Sequence, residues 1–215
     1  MSSCYLTAKA RCHPPRFLIR LMKIKLLLIL ATLLFLTGCE KKPFYVASIG
    51  NAGSLDGQYG IRDMSVSDIL GGGAGFGYGA VNGYPGASAD IGRMGVPNHI
   101  EGFWAKYEED ATTYFRISAD IDSELAEKKI RTLRNYYQEY KRDMGVMQVE
   151  VEEERIRVFY TLKCFSRVNN CSAKENADPN GWVVYSPNKT THVVVLFDGK
   201  GEMSLTPFPD SPYED

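Results

Sequence analysis

An apolar run near the start of the chain decides which residues can belong to the fold. Lys23 and Lys25 precede it, and residues 26–36 are then all apolar or small apart from Thr32. A basic start, a short apolar middle and small residues at the exit are typical of a secretory signal peptide. A transmembrane helix needs about 18 or more apolar residues, so this run is too short to span a bilayer.

The residues that end the run, Leu36-Thr37-Gly38-Cys39, form a lipobox, at which bacterial lipoproteins are cut and lipidated. We expect cleavage before Cys39 and lipidation of that cysteine, since several acyl chains together anchor a protein stably. Residues 22–38 are then the signal peptide, residues 1–21 a mis-assigned extension and residues 39–43 a lipidated tether. Glu40 stands where an aspartate would retain an enterobacterial lipoprotein in the inner membrane, so we predict an outer-membrane anchor facing the periplasm.

The charge of the mature chain limits the partners it can bind. All 26 acidic residues follow Cys39, whereas six of the 25 basic residues precede it, which leaves 19 basic residues and a net charge of −7. Nucleic-acid binding needs a basic surface, and electrostatic adhesion to anionic lipid needs one too. We therefore predict no nucleic-acid partner, and an acidic surface that suits either solubility or a basic partner.

Two further cysteines, Cys164 and Cys171, lie in the mature chain. The periplasm is oxidising, so an isolated pair there favours a disulfide. The alternative is a reactive or metal-binding thiol pair, but six intervening residues do not match the tight spacing of redox and zinc motifs. We predict a structural disulfide.

Apolar periodicity predicts one α+β domain over residues 44–206, a mostly antiparallel β-sheet with one long amphipathic helix packed on it. The helix is predicted over about residues 123–142, with Asp120 or Asp122 as its cap. Its apolar face is formed by Ala126, Ile130, Leu133, Tyr137 and Tyr140, at helical spacing. Tyr136, Tyr137 and Tyr140 fit a core position better than a docking face.

Nine strands are predicted from apolar runs bounded by turn signals. A hairpin turns at residues 108–110, a second strand pair turns at 152–154, and a last hairpin turns at 198–201. Residues 207–215 are predicted to be a loose acidic tail. The predicted strands cover residues 44–49, 64–70, 99–107, 112–119, 146–151, 155–163, 182–185, 191–197 and 202–206. The strand at 191–197 is apolar on both faces, which predicts a central or helix-covered position.

The segment 71–95 contains ten glycines interleaved with Phe76, Tyr78 and Tyr84. Part of it fits a relaxed dinucleotide-binding fingerprint, but Pro85 and more glycines follow where a helix would have to begin. Two interpretations remain. The segment is either a surface loop whose aromatic residues pack on the core, or a flexible loop that binds a partner. In the second case Phe76, Tyr78 and Tyr84 are the candidate contacts, since aromatic residues anchor interfaces.

Motifs of enzymatic chemistry are missing from the sequence. Neither the serine-hydrolase elbow G-x-S-x-G nor the zinc motif H-E-x-x-H occurs. The mature chain has two histidines, His99 and His192, and their spacing gives no support to a zinc site. We predict no catalytic residue, no metal, no cofactor and no small-molecule substrate, and therefore a binding module rather than an enzyme.

The lipobox, the run Gly71-Gly72-Gly73, the predicted hairpin around Trp104 and a single helix before further strands resemble small bacterial lipoproteins of unknown function. Some of these are similar to immunity proteins encoded beside type VI secretion phospholipase effectors. The resemblance implies a lipoprotein that binds a lipase-type toxin in the periplasm and blocks its active site. It identifies no inhibitory residue. The alternative is an envelope scaffold or assembly lipoprotein without inhibitory activity.

Overall fold

A computed structural model describes residues 47–54, 56–81, 94–140, 145–162, 164 and 170–214. All of them belong to one compact unit, Pro43–Asp215. The predicted signal peptide, Cys39 and the tether lie outside the described residues. Over the described ranges, no helix has the length and apolarity needed to cross a membrane.

The fold is α+β and mostly β, as predicted. The described residues contain one helix, α1 (Ser123–Tyr136), and a set of strands that follow each other along the chain as β1 (Ala47–Gly53), β2 (Tyr59–Asp68), β3 (Gly73–Val81), β4 (Pro97–Tyr107), β5 (Thr112–Asp120), β6 (Tyr137–Glu139), β7 (Gly145–Glu152), β8 (Arg155–Thr161), β9 (Asn170–Ala173), β10 (Val183–Tyr185), β11 (His192–Lys200) and β12 (Glu202–Ser204).

The strands form two five-stranded sheets and a small ribbon. The first sheet has the order β1-β7-β8-β11-β10, the second has the order β12-β5-β4-β2-β3, and β6 pairs with β9. All described pairings are antiparallel except that of β1 with β7. The valine-rich β11 lies inside the first sheet, and Lys129 on α1 donates a hydrogen bond to its Val195 carbonyl at 2.7 Å. Its predicted central position is therefore confirmed.

One hydrophobic core joins both large sheets to the helix. Burial of these side chains is the main stabilising contribution, because apolar area removed from water stabilises by about 25 cal/mol per Å². The members of this core include Tyr59, Ile61, Trp104 and Phe115 of the second sheet, Met147, Val149, Ile156 and Val158 of the first sheet, and Ala126, Ile130 and Leu133 of the helix.

The helix begins as predicted and ends earlier. The Asp122 carboxylate accepts a hydrogen bond from the Leu125 backbone N–H at 2.9 Å, so Asp122 is the N-cap. The predicted end near residue 142 is wrong, because Tyr137 is extended and starts β6, which pairs with β9. Tyr137 is nevertheless buried. Its apolar side chain therefore fits the helical spacing in the sequence although its backbone belongs to a strand.

The prediction of a glycine-rich loop is wrong for residues 73–81, which form strand β3 beside β2. Ala74 and Phe76 face the core, and the alternating Gly73 and Gly75 lie on the exposed face. A Cβ on Gly73 would lie 2.9 Å from the Val66 carbonyl oxygen. The close approach of the two strands at that position therefore requires glycine.

The predicted last hairpin is also wrong. Strand β11 continues to Lys200, and β12 pairs with β5 of the other sheet. A Cβ on Gly201 would lie 2.5 Å from the Arg116 carbonyl oxygen, and the Gly201 N–H donates to the Glu154 carbonyl at 2.7 Å. Because Gly201 has no side chain, the backbone can pass close to Arg116 as it crosses from the first sheet to the second.

The C-terminal residues are held against the second sheet, which differs from the loose tail that the sequence predicts. The Arg116 guanidinium lies 4.6 Å from the centre of the buried Phe208 ring. The Tyr213 hydroxyl donates to the Gly60 carbonyl at 2.8 Å, and the Arg62 guanidinium donates to the Pro212 carbonyl at 2.9 Å. Aromatic and cationic side chains thus fix a segment whose composition alone resembles a tail.

The predicted disulfide between Cys164 and Cys171 is confirmed. We expect the Cys164→Ala/Cys171→Ala variant to lose about 2–3 kcal/mol of unfolding free energy, because the bond restricts the unfolded chain over a short loop. Urea unfolding of the oxidised protein and the variant measures the loss. Reduced wild-type protein is the control and should match the variant. Equal stability of oxidised and reduced wild-type protein would contradict the prediction.

Candidate functional site

The aromatic residues predicted as partner contacts do not form a described surface. Phe76 is only 8% exposed and belongs to the core, so it offers little area to a partner. Tyr78 lies in β3 opposite Ile61, and its side chain is outside the described part of the structure. Tyr84 lies outside the described residues altogether.

A different surface combines exposed apolar side chains with acidic ones. Met203 on β12 is 62% exposed, and Leu205 just after it is 77% exposed. Leu205 helps to line a recess of about 420 Å³ together with the turn between β4 and β5, which contains Glu108, Glu109 and Asp110. We call these five residues the β12 edge surface. Among the described residues that line the recess, none is basic.

Local hydrogen bonds explain why the β12 edge surface is displayed. Strand β12 is three residues long and forms the end of the second sheet, with Met203 opposite Phe115. The Ser204 hydroxyl then donates to the Thr206 carbonyl at 2.6 Å and turns the chain. On the neighbouring turn the Glu108 N–H donates to the Ala111 carbonyl at 2.9 Å. Both segments are held by local hydrogen bonds, and their apolar and acidic side chains are exposed.

An apolar centre with a charged rim is the arrangement found at protein interfaces, where methionine is enriched and charge is placed at the edge. The edge of a sheet also presents backbone groups that a second chain can pair with. The β12 edge surface therefore has the chemistry to bind a protein that carries apolar and basic side chains.

A second exposed apolar pair, Val184 and Tyr185, lies on β10 at an end of the first sheet. Tyr185 is 63% exposed, and its ring centre lies 4.5 Å from that of His192. His192 Nδ1 is 3.2 Å from the Tyr137 hydroxyl, and burial lowers the pKa of His192. This edge combines aromatic rings with an imidazole, whereas the β12 edge surface combines apolar side chains with three acidic ones.

The predicted acidic turn at residues 152–154 joins the two sheets. The Tyr59 hydroxyl donates to the Asp56 carboxylate at 2.9 Å and accepts from the Glu153 N–H at 2.7 Å. Lys106 Nζ donates to the same carboxylate at 2.8 Å. Burial raises the pKa of Tyr59 well above its ordinary range, so the phenol stays protonated and can donate. These groups satisfy one another, which makes the cluster structural.

Metal binding has no support in the described residues, where no group of three or more histidine, cysteine, aspartate or glutamate side chains could hold an ion. His192 lies on the first sheet. His99 lies on the second sheet opposite Asp120, at a hydrogen-bonding distance of 2.9 Å. The two histidines thus belong to separate clusters.

Sequence reasoning did not identify Met203 and Leu205 as surface residues. They alternate with Glu202 and Ser204, which predicts a half-buried strand with its apolar face inward. Only the crossing of β12 to the end of the other sheet exposes them, and no local pattern signals that crossing.

No protein-family model matches the chain, and no curated protein or solved structure is significantly similar to it. The proposed function therefore rests on the chemistry of the β12 edge surface.

Proposed function

We propose that the chain is a lipoprotein of the bacterial envelope, lipidated at Cys39 and attached to the periplasmic side of the outer membrane. In this proposal it binds a protein partner through the β12 edge surface and neutralises a secreted lipase-type toxin as an immunity protein. The observation that carries the binding role is the exposure of Met203 and Leu205, at 62% and 77%, beside three acidic side chains. The role requires binding of the toxin and no turnover.

Two physical arguments support a protein as the partner. Large apolar side chains that remain in water next to a charged rim are typical of interaction sites. The net charge of −7 on the mature chain favours encounter with a basic surface, since complementary charge accelerates association. A lipid tether adds to this, because it raises the effective concentration of the protein at the membrane where the toxin acts.

The test first asks whether an adjacent reading frame encodes a lipase-type protein, and then mixes that protein with the full lipidated chain in detergent micelles. We expect a stable complex and loss of lipase activity when the chain is in excess. The Met203→Ser/Leu205→Ser variant should bind at least about 30-fold more weakly, since truncating an interface anchor costs about 2 kcal/mol or more. The Val184→Ser/Tyr185→Ser variant is the matched control at the other sheet edge and should bind like wild type.

The possible outcomes test the immunity role and the β12 edge surface separately. A lipase that remains fully active with excess chain contradicts the immunity role, and capture of outer-membrane or cell-wall machinery in its place supports the scaffold alternative. Full inhibition by the Met203→Ser/Leu205→Ser variant contradicts the β12 edge surface and leaves the immunity role intact. Equal weakening by the β10 control would show that loss of any exposed apolar pair is enough.

A further inference from the structure

Three polar side chains form a hydrogen-bonded chain on the outer face of the second sheet. His99 on β4 is in register with Asp120 on β5, and its Nδ1 lies 2.9 Å from the Asp120 carboxylate. Its Nε2 lies 3.3 Å from the Ser118 hydroxyl oxygen. Ser118 and Asp120 are two positions apart on β5, so their side chains leave the same face of the strand. One imidazole can therefore bridge both.

The contacts fix the roles of the two ring nitrogens. A carboxylate only accepts hydrogen bonds, so the Asp120 contact places the imidazole proton on Nδ1. When the imidazole is neutral, its Nε2 atom then carries a lone pair and can accept from the Ser118 hydroxyl. This order of nucleophile, base and orienting carboxylate is that of serine hydrolases, which are identified by geometry and not by sequence position.

The backbone pairing of β4 with β5 holds Ser118, His99 and Asp120 in place. The two strands are paired without a break from His99–Asp120 to Tyr107–Thr112. Beyond this pairing, the Ile121 N–H donates to the Asn98 carbonyl at 2.8 Å, which closes the open end of the hairpin next to His99. Catalytic groups carried by strands are held more firmly than groups carried by loops.

Ser118 also lines a groove of about 590 Å³ on the same face. Phe103 is the half-buried apolar residue that lines it. The Arg116 guanidinium is engaged by Glu202 through two hydrogen bonds of 3.0 and 2.7 Å. The remaining charged side chains of the groove, Asp63 and Glu101, are acidic, so the groove repels anions and accepts neutral or cationic groups.

We propose that Ser118 is a nucleophile for neutral or cationic carboxylic esters, with His99 as general base and Asp120 as the residue that positions His99. The Ser118 oxygen forms a bond to the ester carbonyl carbon while its proton moves to His99 Nε2. The carbon–alkoxide bond then breaks, and the alkoxide takes that proton and leaves as an alcohol. Water then gives a proton to His99 while its oxygen bonds to the acyl carbon. The bond from that carbon to the Ser118 oxygen breaks, the Ser118 oxygen takes the proton back from His99, and a carboxylic acid leaves. This activity is independent of the partner binding proposed above.

The test treats the full chain in detergent with a neutral alkyl fluorophosphonate, which labels activated serines, and with para-nitrophenyl acetate. We expect label on Ser118, located by mass spectrometry of peptides, and none there in Ser118→Ala. The His99→Gln variant should react at least about tenfold more slowly, since a positioned base contributes about 10²- to 10⁴-fold. Ser65→Ala is the matched control, because Ser65 shares the sheet face and donates to Glu101 instead of a histidine.

Nitrogen NMR and ester hydrolysis provide two further tests of the proposal. Nitrogen NMR of His99 should show the proton on Nδ1 in wild-type protein, and Asp120→Asn should change that state and slow the labelling. Equal ester hydrolysis by Ser118→Ala and wild-type protein would mean that His99 acts alone, and it would overturn the proposal. Absence of label on Ser118 in the folded wild-type chain would overturn it as well.

Discussion

The Trp104→Ala variant is expected to lose about 3–5 kcal/mol of unfolding free energy, the usual cost of deleting a buried tryptophan side chain. Trp104 is fully buried, and its ring stacks on Phe115 with 5.4 Å between ring centres. Its indole N–H also donates to the Glu153 carbonyl at 2.7 Å. The variant therefore creates a cavity in the core and removes the hydrogen-bond donor that holds the turn between β7 and β8.

A second variant separates these two losses. Trp104→Phe keeps much of the aromatic volume and loses the indole N–H, so we expect a smaller loss of roughly 1–3 kcal/mol for the Glu153 carbonyl left without its donor. Urea unfolding with linear extrapolation measures both variants, and an unchanged slope shows that the unfolded state is the same. If Trp104→Ala lost less than about 1 kcal/mol, the ring would not be the central packing element that its burial indicates.

Part of the surroundings of Trp104 follows from the sequence. The hairpin with its turn at residues 108–110 is predicted from the sequence, and in the structure Tyr107 lies opposite Thr112 and Trp104 opposite Phe115. The contact with Glu153 does not follow from local pattern. It links residues 49 positions apart, and it forms only because the turn between β7 and β8 packs against the other sheet.

The hairpin of β4 and β5 also carries Ser118, His99 and Asp120. In the structure His99 lies opposite Asp120, and Ser118 is two residues from Asp120 on the same face, whereas the predicted strand ends at Ala119 and Asp120 is a candidate helix cap. A search for local motifs does not detect this arrangement, because its residues come from two strands. The arrangement depends on the register of the hairpin and not on the spacing of a motif.

Two errors of sequence interpretation have a common physical cause. Glycine is depleted in strands, so Gly73 and Gly75 conceal the two-residue alternation that places Ala74 and Phe76 in the core. Gly201 lies in a segment typical of a hairpin turn, yet it marks a crossing between sheets. In both places glycine is needed for close backbone approach, which depends on tertiary neighbours that a local pattern does not encode.

The second large effect is expected at the ion pair between Glu150 on β7 and Arg157 on β8. The Glu150 side chain is fully buried, and both its oxygens accept from the Arg157 guanidinium, at 2.7 and 2.8 Å. We expect Arg157→Met to lose about 3–5 kcal/mol at neutral pH, because it leaves a buried carboxylate without its counter-charge. Glu150→Gln should lose less, since Arg157 keeps Glu152 at 3.2 Å.

The pH dependence of Arg157→Met tests this cause. Burial raises the pKa of Glu150 above its ordinary 4.5 even though Arg157 opposes the shift, so removing Arg157 should raise that pKa further. The folded variant then binds a proton that the unfolded chain releases, and its unfolding free energy rises as the pH falls from the folded pKa towards the unfolded one. The difference in unfolding free energy between the variant and wild-type protein should therefore become smaller in acid when urea unfolding is measured across this range.

The Glu150→Leu/Arg157→Met variant has no buried charge at either position, so it should be close to wild type in stability at neutral pH. A deficit for Arg157→Met that is the same at every pH would instead assign the loss to packing of the arginine stem.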